Sequence, residues 1–344
     1  MEQLSLDIGE NTNSILTEQN RTEQNRTEQN SRPQTLAEKV EKAKKALRLA
    51  AQMSQAYYKE PLIVTYSGGK DSDVLLHLAK ACLKPDEFEV LNSHTTVDAP
   101  ETVYHIREVF KELNEMGVKT TIDYHKNPDG TNKTMWSLIM QNRMPPTRIA
   151  RYCCKELKET GTPNRLGALG VRAAESTNRQ GRDTFYVRGM AKKPSSYYSL
   201  EHAEEVHQES QEIQDDNWDC ILIKSMKEHK DTMVNPIYEW LDEDIWNYIK
   251  SENINVNPLY SKGYQRVGCI GCPLAGAKMR EKEFADYPKY KQMYINAFDK
   301  MLKIKKSKGN EKKNWENGEE VFAWWIEKYK KIPKGQMSLF KEEL

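Results

Sequence analysis

Ser67-Gly68-Gly69-Lys70-Asp71-Ser72 puts two glycines, a cation, a carboxylate and two hydroxyls into six consecutive residues. It follows the apolar, β-branched run Leu62-Ile63-Val64-Thr65-Tyr66 and precedes the helix-like run Asp73–Ala79. A strand, a glycine turn and a helix start make a phosphate cradle. Glycines let the backbone approach an anion, and a helix N-terminus offers unpaired N–H groups and the positive end of its dipole. Lys70 adds a cation, and Ser67 and Ser72 add hydroxyl donors. The spacing is not that of a Walker A loop, nor that of the G-x-G-x-x-G fingerprint. A plain turn capped by Asp71 or Ser72 is the alternative without a ligand. Six specific residues in a strand–turn–helix frame favour the anion site.

A second group of residues has the chemistry of a metal centre. Cys153 and Cys154 are adjacent, and Cys269 and Cys272 form a C-x-x-C inside Gly268-Cys269-Ile270-Gly271-Cys272-Pro273. Two pairs can close a four-thiolate site if the fold brings them together, and thiolates suit zinc or an iron–sulfur cluster. The flanking glycines permit a turn that points both sulfurs of the C-x-x-C at one metal. Neighbouring side chains diverge, so adjacent cysteines are awkward ligands for one zinc ion and better suited to a larger [4Fe-4S] cluster. Two packed cysteine pairs are the alternative. Cys82 and Cys220 sit in apolar runs and are expected in the core.

These groups need elements to hold them. Residues 1–34 read as a disordered polar tail, with Thr17-Glu18-Gln19-Asn20-Arg21 recurring every five residues. Leu36, Val40, Ala43, Leu47 and Ala50 recur at helical spacing. The strand Leu62–Tyr66, the loop and a helix to about Leu83 follow. Phe88–Ser93 reads as a strand, Glu101–Met116 as a helix and Val118–Tyr124 as a strand. This alternation predicts parallel βαβ units in a doubly wound, mostly parallel α/β sheet. Ligands of such sheets lie beyond the carboxyl ends of the strands. Ser67 belongs there, as do Thr95, Thr96 and Asp98 after the second strand.

Further along, Met135–Asn142 and Ile149–Thr160 read as helices, and Gln180–Gln214 as a charged insertion or mobile loop. Cys220–Lys224 reads as a strand, and Leu241–Ser251 as an amphipathic helix capped by Asp242. From Phe284 to about Lys330 the chain reads as a helical C-terminal region. Trp324 and Trp325 there are packing residues rather than a binding platform. The division expected is a tail over 1–34, an α/β domain with the cysteines over 35–280 and a helical extension over 281–344.

The chain has 344 residues and a formal net charge of +1, so its overall charge does not point to nucleic acid. Lys303, Lys305, Lys306, Lys308, Lys312 and Lys313 form a local basic run. That run is either a solvated helix end or a nucleic-acid contact. No apolar stretch approaches the roughly 20 residues of a membrane span, and no signal-peptide pattern opens the chain. The expectation is a cytoplasmic protein with reduced cysteines and no membrane partner.

Taken together, these segments resemble the phosphoadenosine phosphosulfate reductase family of the pyrophosphate-loop ATP pyrophosphatase superfamily. Ser67–Ser72 is similar to the family's S-G-G-x-D-S loop. His94–Thr102, Gly170-Val171-Arg172-Ala173-Ala174-Glu175-Ser176, Asn235–Trp240 with Asp244-Ile245-Trp246, and Asn257–Tyr260 with Gly268–Cys272 resemble its other segments, in order, over about residues 55–280. The resemblance implies an adenine nucleotide alpha hydrolase-like sheet. It implies nucleotide phosphate binding by Ser67, Gly68, Gly69, Lys70, Asp71 and Ser72, with Thr95 and Asp98 at the nucleotide. It also makes Arg172 a phosphate or sulfate donor, with an ion pair to Glu175 as the alternative. Lys70, Asp71 and Arg172 would be catalytic. Cys153, Cys154, Cys269 and Cys272 are similar to the set that holds a [4Fe-4S] cluster in adenylyl-sulfate reductases.

The resemblance has one departure. Those reductases carry a late nucleophilic cysteine, and this sequence has none after Cys272. Sulfur-modification enzymes, including DNA phosphorothioation and tRNA thiolation types, also pair ATP pyrophosphatase chemistry with cysteine-bound clusters. Three readings follow. The first is an ATP- and Mg2+-using iron–sulfur enzyme that adenylates or sulfur-modifies a nucleic acid or nucleotide. The second is a reductase of adenylyl sulfate or its 3′-phosphate using an external thiol. The third is a non-catalytic nucleotide-binding partner of a modification complex. Gln336-Met337-Ser338-Leu339-Phe340 resembles peptides that dock on the DNA sliding clamp, with a partial echo at Gln3-Leu4-Ser5-Leu6. An apolar tail packed on the core is its alternative.

Overall fold

The computed structural model describes residues 34–159, 162, 164–176, 179, 182–188, 197–212, 220–307 and 315–327. The polar repeat, both clamp-like peptides and Lys308, Lys312 and Lys313 lie outside the described residues. The chain divides into two units, Met1–Glu41 and Lys42–Leu344. In the first, Thr35 precedes a helix and forms a box with Glu38. The Glu38 carboxylate accepts from the Thr35 N–H at 2.8 Å, and the Thr35 hydroxyl accepts from the Glu38 N–H at 3.3 Å.

The strands are β1 (Leu62–Thr65), β2 (Phe88–Ser93), β3 (Thr120–Asp123), β4 (Leu166–Ala168), β5 (Phe185–Val187), β6 (Tyr197–Tyr198) and β7 (Thr232–Val234). The helices are α1 (Leu36–Met53), α2 (Lys70–Cys82), α3 (Pro100–Glu115), α4 (Met135–Asn142), α5 (Tyr152–Leu157), α6 (Leu200–Glu212), α7 (Ile221–Lys227), α8 (Asp242–Ser251), α9 (Ala277–Asp286), α10 (Pro288–Ser307) and α11 (Gly318–Glu327).

The seven strands form one sheet in the order β3-β2-β1-β4-β7-β5-β6. Neighbours from β3 to β7 pair in parallel, while β5 runs antiparallel to both β7 and β6. This is the doubly wound, mostly parallel sheet expected, with an antiparallel edge. Leu62, Ile63 and Val64 of β1 are all buried, as a central strand covered on both faces requires. The winding reverses between β1 and β4, and such a switch point opens a crevice at the strand carboxyl ends. The sequence places Ser67–Ser72 after β1 and Gly170–Ser176 after β4, so both face that crevice.

A second apolar core lies around α4, α9, α10 and α11. Ile139, Ile270, Phe284, Tyr294, Phe298 and Trp325 are buried in it. Trp325 is buried and Trp324 packs partly buried against the same cluster, as packing residues should. No helix among the described residues is long and apolar enough to cross a membrane.

Several expectations need correction. Within Gln180–Gln214 the chain forms β5, β6 and α6 rather than one irregular insertion. Phe185, Tyr186 and Val187 bury against β7, and Leu200, Ala203, Val206 and His207 form the inner face of α6. The dense charge between them hides that face from a periodicity reading. Cys220–Lys224 is not a strand, because Ile221–Lys227 is helical with Leu222, Ile223 and Met226 buried. A short apolar run does not distinguish the two states. The helix expected over 149–160 is confined to Tyr152–Leu157. The helices expected from Phe284 begin at Ala277. Cys82 and Cys220 are half-buried rather than core residues.

Asp242 is not a cap either. It is the first residue of α8, Leu241 is the cap residue, and the Asp244 carboxylate accepts from the Leu241 N–H at 2.7 Å.

Candidate active site

Gly68 has φ +72°, and a Cβ there would meet Ile106 Cγ1 at 3.1 Å and Thr102 Cγ2 at 3.2 Å. Only glycine fits both the left-handed backbone and the space. The Ser72 hydroxyl accepts from the Gly69 N–H at 3.1 Å and donates to the Gly69 carbonyl at 2.7 Å. Its oxygen also lies 3.3 Å from Ser67 N and Ser67 Oγ. Ser72 is therefore the internal brace of the loop, and Ser67 stands next to it.

The loop is also held from outside. Asn257 is fully buried and donates through Nδ2 to the Gly68 carbonyl at 3.0 Å and to Thr102 Oγ1 at 3.1 Å. The Tyr260 hydroxyl accepts from the Lys70 N–H at 2.9 Å. Burial raises the Tyr260 pKa, reinforced by the negative charge of Asp71 and Asp73, so its proton is retained. A Cβ on Gly170, just beyond β4, would lie 3.0 Å from the Asp71 carbonyl oxygen. A side chain at that point would press on the start of α2, so glycine lets the exit of β4 pass this closely.

Four ionic side chains meet beside the loop. Arg172 Nε lies 2.5 Å from Asp71 Oδ1, and its Nη2 lies 3.0 Å from Asp242 Oδ1. Lys70 Nζ lies 3.2 Å from Asp71 Oδ2 and 3.0 Å from Asp242 Oδ1. The cations are buried, with side chains 9% and 4% exposed for Lys70 and Arg172, whereas Asp242 is 64% exposed. Burial works to raise the Asp242 carboxyl pKa, but the hydrogen bonds and charges of Lys70 and Arg172 outweigh it and hold it below the ordinary value. The Arg172–Glu175 ion pair considered from sequence does not form. Glu175 pairs with Arg179 and takes only the backbone N–H of Arg172. Thus β1 delivers Lys70 and Asp71, β4 delivers Arg172, and the segment after β7 delivers Asp242.

Thr95 and Asp98 lie toward the cysteines. The Asp98 carboxylate accepts from the Thr95 N–H at 3.2 Å, and Cys269 Sγ is 3.4 Å from Thr95 Oγ1. Asp98 and Cys269 form an antiparallel bridge, and the Ile270 N–H donates to the Val97 carbonyl at 2.8 Å. The C-x-x-C turn has Gly271 at φ +75°, its N–H donates to Glu283 at 2.7 Å, and the Tyr294 hydroxyl donates to the Ile270 carbonyl at 3.0 Å. Burial pushes the Glu283 carboxyl up to about 7.

All six cysteines are free thiols. Cys153 and Cys154 lie on α5. The Cys153 pKa is raised by its hydrogen bond to Cys154, then by burial and by the charges of Cys154, Cys269 and Cys272. The same hydrogen bond lowers Cys154 to about 5 against the opposing effect of burial, helped by Arg151 and Lys158. Burial raises Cys269 to about 11, and Lys158 opposes it. The Lys158 pKa is itself raised, first by Cys269 and then by Asp98, Cys272 and Cys154. The charges of the four thiols act on one another, with Arg151 and Lys158 alongside. Among the described residues, no three His, Cys, Asp or Glu side chains are grouped as metal ligands.

From sequence, Lys158 and Glu283 have no site role, Asp242 reads only as a helix cap, and Gly170, Asn257 and Tyr260 stand only as parts of family-like segments. Asn257 and Tyr260 stand in the Asn-Pro-Leu-Tyr segment, which resembles the family's run into its cysteine pair without showing what either side chain touches. Their bonds to the loop cross nearly the whole sheet in sequence and are visible only in the fold.

A family model described as the phosphoadenosine phosphosulfate reductase domain matches residues 61–275, and the chain belongs to that family. Sulfate adenylyltransferase subunit 2 of Shewanella amazonensis is 27% identical over 207 residues, covering 60% of this chain and 62% of that protein. The chain spans between 41% and 62% of the length of the first curated relatives it matches. Among solved structures, phosphoadenylyl-sulfate reductase from Candida auris is 14% identical with a TM-score of 0.37, covering 64% of this chain and 87% of that one. The U34-tRNA thiolase NcsA from Methanococcus maripaludis with its [4Fe-4S] cluster is 11% identical with a TM-score of 0.35, covering 79% and 81%.

Proposed function

We propose that this member of the phosphoadenosine phosphosulfate reductase domain family splits ATP between its α and β phosphates and adenylates an acceptor, which then takes up sulfur. The observation that carries the reading is the meeting of the Ser67–Ser72 loop with two buried cations, Lys70 and Arg172, at the switch point between β1 and β4. Relatives named as sulfate adenylyltransferase subunits support adenylyl transfer by their name.

In the reaction, an acceptor oxygen attacks the α phosphorus of MgATP. The bond from that phosphorus to the bridging oxygen breaks, and pyrophosphate leaves with the electron pair. AMP now sits on the acceptor oxygen. A sulfur nucleophile then bonds to the atom bearing that oxygen, the bond from that atom to the oxygen breaks, and AMP leaves with the oxygen and the electron pair. The protein's part is positioning and charge neutralisation. Loop N–H groups and the Ser67 hydroxyl hold the phosphate chain, while Lys70 and Arg172 neutralise the leaving pyrophosphate. Asn257 and Gly170 keep the loop in shape. The acceptor class we propose is a nucleic acid or nucleotide.

Cys153, Cys154, Cys269 and Cys272 would hold a [4Fe-4S] cluster, which when bound would supply a site for handling sulfur. Lys158 and Arg151 would balance its negative charge. Anaerobic purification with iron, sulfide and zinc analysis tests this assignment. About four irons and four sulfides per chain are expected, and colourless protein with one zinc would contradict it.

Lys70→Ala and Asp71→Ala should each slow pyrophosphate release on the order of 100-fold or more. Sulfite formation from adenylyl sulfate with an external thiol, in place of pyrophosphate release, would favour a reductase.

A further inference from the structure

The phosphate site described above is already filled by the protein's own groups. Lys70 and Arg172, the two buried cations, are matched by two carboxylates, Asp71 and Asp242. The Lys70 N–H, the first amide of α2 and the donor a phosphate oxygen would take, instead meets the Tyr260 hydroxyl. The two carboxylates are not equivalent. Asp71 sits inside the loop with a side chain 21% exposed, while Asp242 is 64% exposed on the first turn of α8. Asp242 already borders solvent. Its Oδ1 touches both Lys70 Nζ and Arg172 Nη2, each at 3.0 Å. One oxygen shared between two buried cations is the arrangement a phosphate oxygen would adopt there.

We infer that Asp242 is an internal substitute for phosphate, which closes the resting site and must be displaced when the phosphate chain of a nucleotide binds. This inference rests on the proposed nucleotide site. With Asp242 in place the four groups carry no net charge, so a singly charged ligand gains little by exchanging with it. A pyrophosphate group carries several charges and more acceptor oxygens, so it can replace the carboxylate on both cations and draw the Lys70 N–H from Tyr260. Asp242 thereby selects for chains of two or more phosphates.

The test is titration calorimetry of the full chain with inorganic pyrophosphate and, separately, orthophosphate. Asp242→Asn keeps the shape and removes the charge. Asp242→Ser is a second, shorter uncharged variant, and Glu243→Gln removes a charge from the same exposed turn outside the network. Both Asp242 variants should bind pyrophosphate about three- to tenfold tighter than wild type, the size expected for releasing an internal ion pair with one exposed partner. They should also gain measurable orthophosphate binding, and Glu243→Gln should stay within about twofold of wild type. Equal or weaker pyrophosphate binding by the Asp242 variants, with wild-type binding intact, overturns this inference and leaves the nucleotide site standing. Equal tightening by Glu243→Gln reduces the effect to bulk charge and overturns it as well. Absence of binding by wild type and variants alike overturns both readings.

Discussion

Gly68 and Gly170 carry tight local demands at the phosphate loop. At Gly68 a side chain would strain a backbone at φ +72° and press on Ile106 and Thr102. Gly68→Ala should cost about 1–3 kcal/mol, read from the midpoint of urea unfolding. At Gly170 an added Cβ meets the Asp71 carbonyl at 3.0 Å, and backbone cannot yield as a flexible side chain can. Gly170→Ala should leave the protein folded yet weaken ATP binding about tenfold or more, because the loop shifts relative to Arg172. Unchanged ATP affinity would show that the close approach of β4 to α2 has no part in the site. The glycine-rich loop was legible in sequence because its residue types name their task. The ionic network was not. Asp242 looked like an ordinary cap, since Asp at a helix start has that use, and only the fold reveals Lys70 and Arg172 beside it.

At the scale of elements, long periodic segments were the readable ones. β2 and α4 have the bounds expected, because alternating burial in one and a Thr134 cap before an apolar face in the other are local signals. α6 and α7 were misread where charge or a short apolar run hid the face that tertiary packing selects. The inner face of α6 carries His207, which is buried and bonded to the Tyr57 hydroxyl at 2.9 Å. Burial lowers its pKa, so the folded protein disfavours the imidazolium. Its contribution is therefore whole above the unfolded pKa of about 6.5, and is lost as pH falls from there toward the lower folded value. Melting temperature should fall between pH 7 and pH 5.5, and His207→Gln should flatten part of that slope. An unchanged slope in the variant would exclude His207 as a source of acid sensitivity.

Across the whole molecule, one segment joins the two chemistries. Asn257 holds the Gly68 carbonyl, Tyr260 meets the Lys70 N–H, and Cys269 reaches Thr95. The helices after it form the floor of the C-x-x-C turn. A Cβ at Gly271 would lie 2.5 Å from Phe284 and 3.1 Å from Trp325. The Arg280 guanidinium stacks 4.3 Å from the Trp325 ring centroid, and Trp325 Nε1 donates to the Pro146 carbonyl at 2.7 Å. Trp325→Ala should therefore cost about 3–5 kcal/mol in denaturant unfolding. It should also speed alkylation of Cys269 and Cys272 in protein freed of metal, whereas unaltered thiol reactivity would separate the helical region from the turn. The central claim concerns which phosphate bond breaks at Ser67–Ser72. Exchange of labelled pyrophosphate into ATP, run with nucleic-acid and nucleotide acceptors, tests it most directly. Acceptor-dependent exchange by the wild type, lost in Lys70→Ala, is the predicted result. Intact protein that neither binds ATP nor exchanges pyrophosphate with any acceptor would contradict it.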